Sequence, residues 1–159
     1  MDGLRYTLAA EDTDDVRALR EAVRQGLRDF NDATNPLFAE ARAADGPRPL
    51  DIFLHDADGK LVGGLTGATV WDWLEVKILW IDAAWRGQGI GVRLMALAEA
   101  EARARGCHHA RLTTFDFQAR GFYEKLGFVV VGRMDSFPPG GCFYWMRKDY
   151  AASDPQADG

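Results

Sequence analysis

The sequence predicts a mixed α/β (α+β) fold, in which a mainly antiparallel central sheet of about seven strands carries helices on both faces. Three observations predict it. Apolar residues recur at helical spacing in two stretches, 13–30 and 90–105. Two strand-like runs, 50–55 and 60–70, flank the turn sequence Asp56–Gly59 and indicate a hairpin. Later in the chain a helix stands between two strands, which implies a crossover and therefore a parallel pair.

Composition narrows the classes of protein. A chain of 159 residues with 47% hydrophobic content suits one domain, expected over 1–150, followed by a polar tail, 151–159, expected to be disordered. A formal charge of -5 without basic runs argues against a nucleic-acid partner. Neither a signal peptide nor a membrane span is predicted, so we expect a cytoplasmic protein with no membrane partner. Cys107 and Cys142 lack the spacing of a disulfide framework or a zinc site, and no metal is predicted.

The N-terminal third reads as one short strand and two helices. Leu4–Leu8 is expected to be the first strand. Asp12 or Thr13 is expected to cap a helix, and Asn35-Pro36 to begin a shorter helix that ends at Ala44. The apolar face of the first helix comprises Val16, Leu19, Val23, Leu27 and Phe30.

Strands and helices then alternate. Glycines in the run 60–70 indicate bulges or close backbone contact, and they are Gly63, Gly64 and Gly67. The buried face of the helix 90–105 is expected to comprise Ile90, Leu94, Leu97 and Ala98. The remaining predicted elements are the strands 74–82, 110–115, 128–134 and 142–148 and the helix 119–126. Edge strands near 142–148 would allow pairing between subunits, so a homodimer stays open.

A strand, a glycine-rich turn and a helix N-terminus follow one another between 76 and 94. The first turn of a helix has unpaired N–H groups that hold anionic oxygens, and Gly87, Gly89 and Gly91 let a phosphate approach the backbone. Arg86 adds a cation. The spacing fits neither a Walker loop nor a dinucleotide fingerprint. The stretch therefore predicts a pyrophosphate-binding turn.

Two motifs in this order resemble those of the GNAT N-acyltransferase superfamily. The first is Arg86-Gly87-Gln88-Gly89-Ile90-Gly91, after a strand that ends in Ile81-Asp82. The second is Ala119 followed by Phe122-Tyr123-Glu124-Lys125-Leu126-Gly127-Phe128. The resemblance covers roughly 50–148, and the runs 117–123 and 137–140 look like those of small stand-alone bacterial members.

The resemblance implies a GNAT-like sheet and acetyl-CoA as co-substrate. The pantetheine arm would pair with the strand residues Leu79, Trp80 and Ile81. The pyrophosphate would lie on Arg86, Gly87, Gln88, Gly89, Ile90, Gly91 and Val92. Where related proteins commonly have an asparagine that bonds the pantetheine, this chain has Asp116. Either Gln118 takes that contact, or Asp116 faces the acceptor amine.

The resemblance also implies roles in catalysis. Tyr123 stands at the position of the general acid, and a backbone N–H near Trp80 or Ile81 would stabilise the oxyanion. Glu75, six residues before Ile81, matches the catalytic glutamate of histone-acetylating members and is the first candidate for the base. Its alternatives are a structural role for Glu75, proton removal through water, and the side chains Asp82, Asp116, His108 and His109.

The function implied is that of a transferase, an acetyl-CoA-dependent N-acetyltransferase. The amine would attack the thioester directly in a ternary complex, and a small-molecule amine is the expected acceptor. The alternatives are a protein N-terminus or lysine, and a non-catalytic acyl-CoA sensor. Four tryptophans either form an aromatic-walled acceptor pocket or fill the core or a subunit interface: Trp71, Trp73, Trp80 and Trp85. Asn31, Asn35 and Phe38 either contact the substrate or serve in helix capping and core packing.

Overall fold

The computed structural model describes residues 4–44 and 46–150. They form two compact units, one that contains the helices α1 (Asp14–Thr34) and α2 (Pro36–Ala44) and one that contains the sheet. The single domain over 1–150 stays a prediction, and the disordered tail expected at 151–159 lies outside the described residues. None of the helices in the two described ranges combines the length and the apolar composition that crossing a bilayer requires.

The caps of α1 and α2 follow the sequence pattern. The Oγ1 atom of Thr13 accepts a hydrogen bond from the N–H of Val16 at 3.3 Å, so α1 begins where the sequence predicts. The N–H of Asn35 donates to the carbonyl of Asn31 at 2.8 Å, and the Oδ1 atom of Asn35 accepts from the N–H of Phe38 at 3.1 Å. The side chain of Asn35 is therefore used to cap α2, one of the two roles that the sequence left open.

Six strands form the sheet in the described part of the chain, in the order β1-β2-β3-β4-β6-β5. The strands β3 and β4 are parallel, as the crossover predicts, and the other neighbours are antiparallel. The predicted mixed, mainly antiparallel fold class is confirmed. The strands are β1 (Arg48–His55), β2 (Leu61–Val70), β3 (Trp73–Ile81), β4 (His109–Phe115), β5 (Val129–Asp135) and β6 (Cys142–Asp149).

Two expectations about the sheet are wrong. Leu4–Leu8 is not a strand, and Leu4, Tyr6 and Leu8 are 74%, 94% and 95% exposed. The two described ranges therefore contain six strands rather than about seven. An alternating apolar pattern forms a strand only where a partner strand accepts it. The strand near 142–148 is not an edge either, because β6 pairs with β4 on one side and β5 on the other.

Close backbone contact explains the glycines of β2, as the sequence predicts. A Cβ atom on Gly67 would stand 2.3 Å from the carbonyl oxygen of Glu75, and one on Gly64 would stand 2.7 Å from that of Ile52. The register between β2 and β3 shifts at this place, because Gly67 faces Val76 whereas Thr66 faces Ile78. Residue 77 is therefore the extra residue of a β-bulge in β3.

The helix α3 (Ile90–Ala104) packs on β1, β2 and β3 and forms much of the core. Its buried residues are Leu94, Met95, Ala98, Glu99 and Ala102. Leu97 was expected among them and is instead 50% exposed. At 3.6 residues per turn, Met95, Ala98 and Ala102 share one face, and Leu97 points away from it. Leu97 follows Leu94 by three residues, a spacing that is compatible with either a buried or an exposed position for Leu97.

A shielded ion pair fixes α3 to β6. The Nζ atom of Lys148 lies 2.7 Å and 2.8 Å from the two carboxylate oxygens of Glu99, and the two side chains are only 20% and 12% exposed. The same ammonium lies 5.8 Å from the ring centroid of Phe128. Removal of either partner would leave the other charge poorly solvated, so loss of this contact is unfavourable. The ion pair therefore fixes the direction of α3 and, with it, the position of the helix N-terminus.

We expect Gly67→Ala to lower the free energy of unfolding by about 1–3 kcal/mol, because the new Cβ atom would overlap backbone atoms that the sheet holds in place. Gly121→Ala is the matched control. It lies in the helix α4 (Arg120–Lys125), where a Cβ atom would meet nothing within 4 Å and alanine favours the helix. Urea denaturation measures both, and equal stability of the two variants would contradict the close contact.

Candidate active site

The strands β3 and β4 pair over a short stretch and then part. Residues Trp73–Val76 of β3 pair with His109–Leu112 of β4. Beyond these residues β3 runs on to Ile81 and β4 to Phe115, and the described sheet shows no further pairing between them. The two strands therefore diverge beyond Val76 and Leu112. Backbone N–H and C=O groups along the facing edges are thereby left for a bound ligand.

A cavity of about 770 Å³ lies in this gap. We call it the cleft. It is bounded by the second half of β3, by the turn that precedes α3, by the end of β4 and by α4. Eleven of the predicted site residues line it: Leu79, Trp80, Ile81, Arg86, Gly87, Gly89, Ile90, Gly91, Val92, Gln118 and Tyr123. Three predicted residues do not: Glu75, Gln88 and Asp116.

The glycine turn presents free backbone donors to the cleft. Gly87 and Gly89 both have φ at 77°, a left-handed conformation that glycine adopts without strain. Gly89 is the N-cap of α3, and no side chain in the described part of the chain caps this end. The first intrahelical bond runs from the N–H of Arg93 to the carbonyl of Gly89 at 3.1 Å. Within the described residues, the N–H groups of 90–92 are therefore unpaired and suited to an anion.

Side chains next to the turn hold its shape. The Nε atom of Arg86 donates to the carbonyl of Ile81 at 2.9 Å, which fixes the guanidinium at the end of β3 and leaves its terminal nitrogens available. Gln88, in contrast, uses its amide to reach the carbonyl of Ala84 at 3.4 Å and does not line the cleft. A Cβ atom on Gly91 would lie 3.1 Å from the Phe122 ring, so this glycine serves the packing of α3 on α4.

Tyr123 reaches the cleft from α4 and is only 7% exposed. Its ring packs edge-on against Phe122 and Phe128, with centroids 5.1 Å and 5.9 Å apart. Burial raises the pKa of the Tyr123 hydroxyl above its usual value of 10.0. The hydroxyl therefore keeps its proton at neutral pH and is a potential proton donor.

Gln118 and Asp116 have different surroundings. The Oε1 atom of Gln118 accepts from the N–H of Phe115 at 3.0 Å and from the Oγ1 of Thr114 at 3.2 Å. A backbone N–H can only donate, so the other end of the amide must be the NH₂ group, and Gln118 lines the cleft. The carboxylate of Asp116 instead accepts from the N–H of Phe117 at 2.9 Å and of Cys142 at 3.1 Å. It is occupied in joining β4 to β6.

Glu75 lines a second cavity, of about 570 Å³, rather than the cleft. Its Oε1 atom lies 3.2 Å from an Nη atom of Arg111 on β4, and the Glu75 side chain is 35% exposed. Lys77 and Thr113 line both cavities. The two cavities therefore adjoin at the point where β3 and β4 begin to part.

The alternative bases have partners of their own. The Oδ1 atom of Asp82 accepts from the N–H of Ala84 at 3.0 Å and caps a short 3-10 helix. The imidazole of His109 lies between two carboxylates, 2.5 Å from Asp149 and 3.5 Å from Asp72. His108 and His109 line neither cavity. Within the described residues, no group of three His, Cys, Asp or Glu side chains could hold a metal ion.

The tryptophans do not form one wall. Trp80 and Trp85 line the cleft, whereas Trp73 lines the second cavity, and Trp71 lies at the turn between β2 and β3. Sequence reasoning missed several lining residues. Lys77 and Thr113 stand out among them, because both cavities share them. Gly67 is the sequence signal that could have pointed to Lys77, because this glycine of β2 lies opposite the bulge that Lys77 forms in β3.

Known proteins resemble this chain in sequence and in fold. The model of the acetyltransferase (GNAT) family matches residues 15–128. Blasticidin-S acetyltransferase of Streptomyces morookaense is 41% identical over 120 residues, which are 72% of this chain and 88% of that protein. A crystal structure of an Agrobacterium tumefaciens protein, assigned as an acetyltransferase, has a TM-score of 0.73 and 32% identity, over 92% of this chain and all 100% of its own. The structure of nourseothricin acetyltransferase has a TM-score of 0.58 and 25% identity, over 66% and 67% of the two chains.

These likenesses, together with the parted strands and the glycine turn, define the class of protein as an acetyltransferase. More narrowly, the chain belongs to the GNAT family. Family membership in turn implies that acetyl-CoA is the acyl donor.

We expect Asp116→Asn to lower the free energy of unfolding by about 0.5–1.5 kcal/mol, the net contribution of one hydrogen bond, because the carboxylate and its two bonds are exposed and water can replace the lost acceptor. A carboxylate accepts from both backbone N–H groups, whereas an asparagine side chain offers one oxygen and leaves one N–H facing its NH₂ group. Thermal unfolding measures the loss. Unchanged stability together with a large loss of coenzyme A affinity would instead assign Asp116 to the ligand.

Proposed function

We propose that the protein is an N-acetyltransferase that moves the acetyl group of acetyl-CoA to the primary amine of a small molecule, by direct attack in a ternary complex. One observation carries the proposal: free backbone donors, an unpaired strand edge and the protonated hydroxyl of Tyr123 meet in one cleft between parted strands.

The cleft fits acetyl-CoA by its donor chemistry. The unpaired N–H groups of 90–92 and the guanidinium of Arg86 would hold the pyrophosphate. The free edge of β3 at Leu79–Ile81 would pair with the amides of the pantetheine arm, as an added strand does. Gln118 would donate through the NH₂ group that its own hydrogen bonds orient. Gln88 and Asp116, which are engaged elsewhere, are not needed for this fit.

Transfer requires charge stabilisation and a proton. Acetyl-CoA supplies the activated acetyl group as a thioester. The Oη atom of Tyr123 would donate the proton that the departing sulfur needs, since a phenol is protonated at neutral pH and burial raises its pKa further. The backbone N–H of Ile81, which faces away from β2, would stabilise the negative charge that develops on the thioester oxygen, whereas the register turns that of Trp80 toward Gly64 of β2.

Glu75 is the proposed acceptor of the proton from the amine. It lies on β3 in the second cavity, which adjoins the cleft through Lys77 and Thr113. Arg111 holds its carboxylate at 3.2 Å, an arrangement that keeps the side chain on the side from which an amine would approach. Proton transfer from the amine would then run to Glu75 directly or through one water.

The proteins to which this chain is similar support a small-molecule acceptor. The names of two of them state acetylation of blasticidin S and of nourseothricin. A protein N-terminus or lysine as acceptor, and an acyl-CoA sensor without activity, are the outcomes that the assay must separate. Release of coenzyme A thiol with a small amine supports the first acceptor class, release only with a peptide amine supports the second, and release with neither supports the sensor.

We expect Tyr123→Phe to lower kcat about a hundredfold to ten-thousandfold, the usual contribution of a positioned general acid, while the affinity for acetyl-CoA changes little. Tyr150→Phe is the matched control. Tyr150 is also a buried tyrosine, its hydroxyl has no hydrogen-bond partner among residues 4–44 and 46–150, and it lines neither cavity. Steady-state release of coenzyme A thiol with acetyl-CoA and an active amine measures both.

A change of less than about threefold in Tyr123→Phe would remove Tyr123 from the role of acid. Acetyl-CoA that binds tightly but is never consumed with any amine would favour the sensor over the enzyme.

A further inference from the structure

Most of the ionisable residues that line the second cavity are cationic, although the whole chain is acidic. The whole chain has a formal charge of -5, yet the ionisable residues that line this cavity are three cations and one anion. They are Lys77, Arg111, Arg147 and Glu75. Strand register explains why they meet, because Glu75 pairs with Arg111 across β3 and β4, and Arg111 pairs with Arg147 across β4 and β6. Directly paired residues point to the same face of a sheet.

Each of these cations keeps some capacity to bind a ligand. Arg111 meets Glu75 through one Nη atom at 3.2 Å, which leaves its other nitrogens available. Arg147 uses its Nε atom on Asp149 at 2.8 Å, and its guanidinium lies over the ring of Trp73 at 5.1 Å. Lys77 makes no ion pair or hydrogen bond through its side chain to any residue in the described ranges. It is also the bulged residue that stands at the boundary of the two cavities.

We propose that the acceptor of this enzyme carries a carboxylate beside its amine, and that Lys77, together with Arg111 and Arg147, binds that carboxylate in the second cavity. The proposal rests on the proposed function and names the class of substrate. The enzyme would thus act on amino acids or on larger molecules that contain an amino-acid-like group.

Electrostatics favours this class over polycationic amines. Asp149 pairs with Arg147 and Glu75 with Arg111, so Lys77 is the uncompensated charge among the lining residues and would repel a ligand with several ammonium groups. A zwitterion can instead place its carboxylate on Lys77 and its amine toward Glu75. Positive charge near the amine also favours its neutral form, which is the form that attacks a thioester. The same cations therefore bind the acceptor and prepare it for transfer.

The cavity also has apolar surface for the body of such a molecule. Val131 and Trp145 line it and are 60% and 39% exposed. One side of Trp145 packs on Gly132, where a Cβ atom would stand 3.1 Å from the indole ring. An acceptor larger than a simple amino acid would place its side group on this surface.

The test measures how strongly the complex of the full chain with coenzyme A binds matched pairs of ligands. The pairs are phenylalanine and phenylalaninamide, β-alanine and β-alaninamide, and lysine and lysinamide. Each amide keeps the amine and loses the negative charge. We expect the carboxylate member of at least one pair to bind about tenfold to a hundredfold more tightly by calorimetry at low ionic strength, and the preference to shrink in high salt.

Lys77→Met should abolish most of this preference, because it removes the unpaired cation and keeps a similar side-chain length. Lys60→Met is the matched control, since Lys60 lies beside the turn between β1 and β2 and lines neither cavity. Equal binding within every pair, no binding of any member, or a preference that survives in Lys77→Met would overturn the proposal. Tyr123→Phe should keep the preference, so a failure of the proposed chemistry would be seen separately from a failure of carboxylate recognition.

Discussion

The strands β3 and β4 are hydrogen-bonded to each other over only four residues of each strand, and the rest of the site depends on their separation. A bulge at Lys77 lies where pairing stops, and Gly67 on the neighbouring strand makes room for it. The unpaired edge of β3 then faces a cavity instead of a strand. A sheet that stayed closed to Ile81 would bury these backbone groups in its own ladder and leave no place for an extended ligand.

The bulge also divides the site into two chemically different halves. The cleft contains unpaired N–H donors, one guanidinium and a protonated tyrosine, which suit an anionic acyl donor. The second cavity contains charged side chains that are arranged in register across β3, β4 and β6. Because Lys77 and Thr113 border both halves, donor and acceptor would meet at the place where hydrogen bonding between the strands ends.

Local patterns made much of this arrangement predictable, and long-range contacts explain the rest. The glycine turn, the caps and the crossover depend on residues near one another in the chain, and the structure has them where the sequence predicts. The role of Asp116 depends on the N–H of Cys142, 26 residues away, which no local pattern reveals. The helical spacing of Leu97 is compatible with a buried or an exposed position on α3, and only the packing of the helix against the sheet decides between these positions. The interior position of β6 likewise follows from its pairing with β4.

A crystal structure of the protein with coenzyme A would test most directly whether the gap between β3 and β4 is the donor site. We expect the pyrophosphate oxygens at about 2.7–3.2 Å from backbone nitrogens of the turn and of the first residues of α3, with the pantetheine amides paired to the free edge of β3. Coenzyme A bound outside the gap, or a pyrophosphate held by side chains elsewhere, would contradict this assignment.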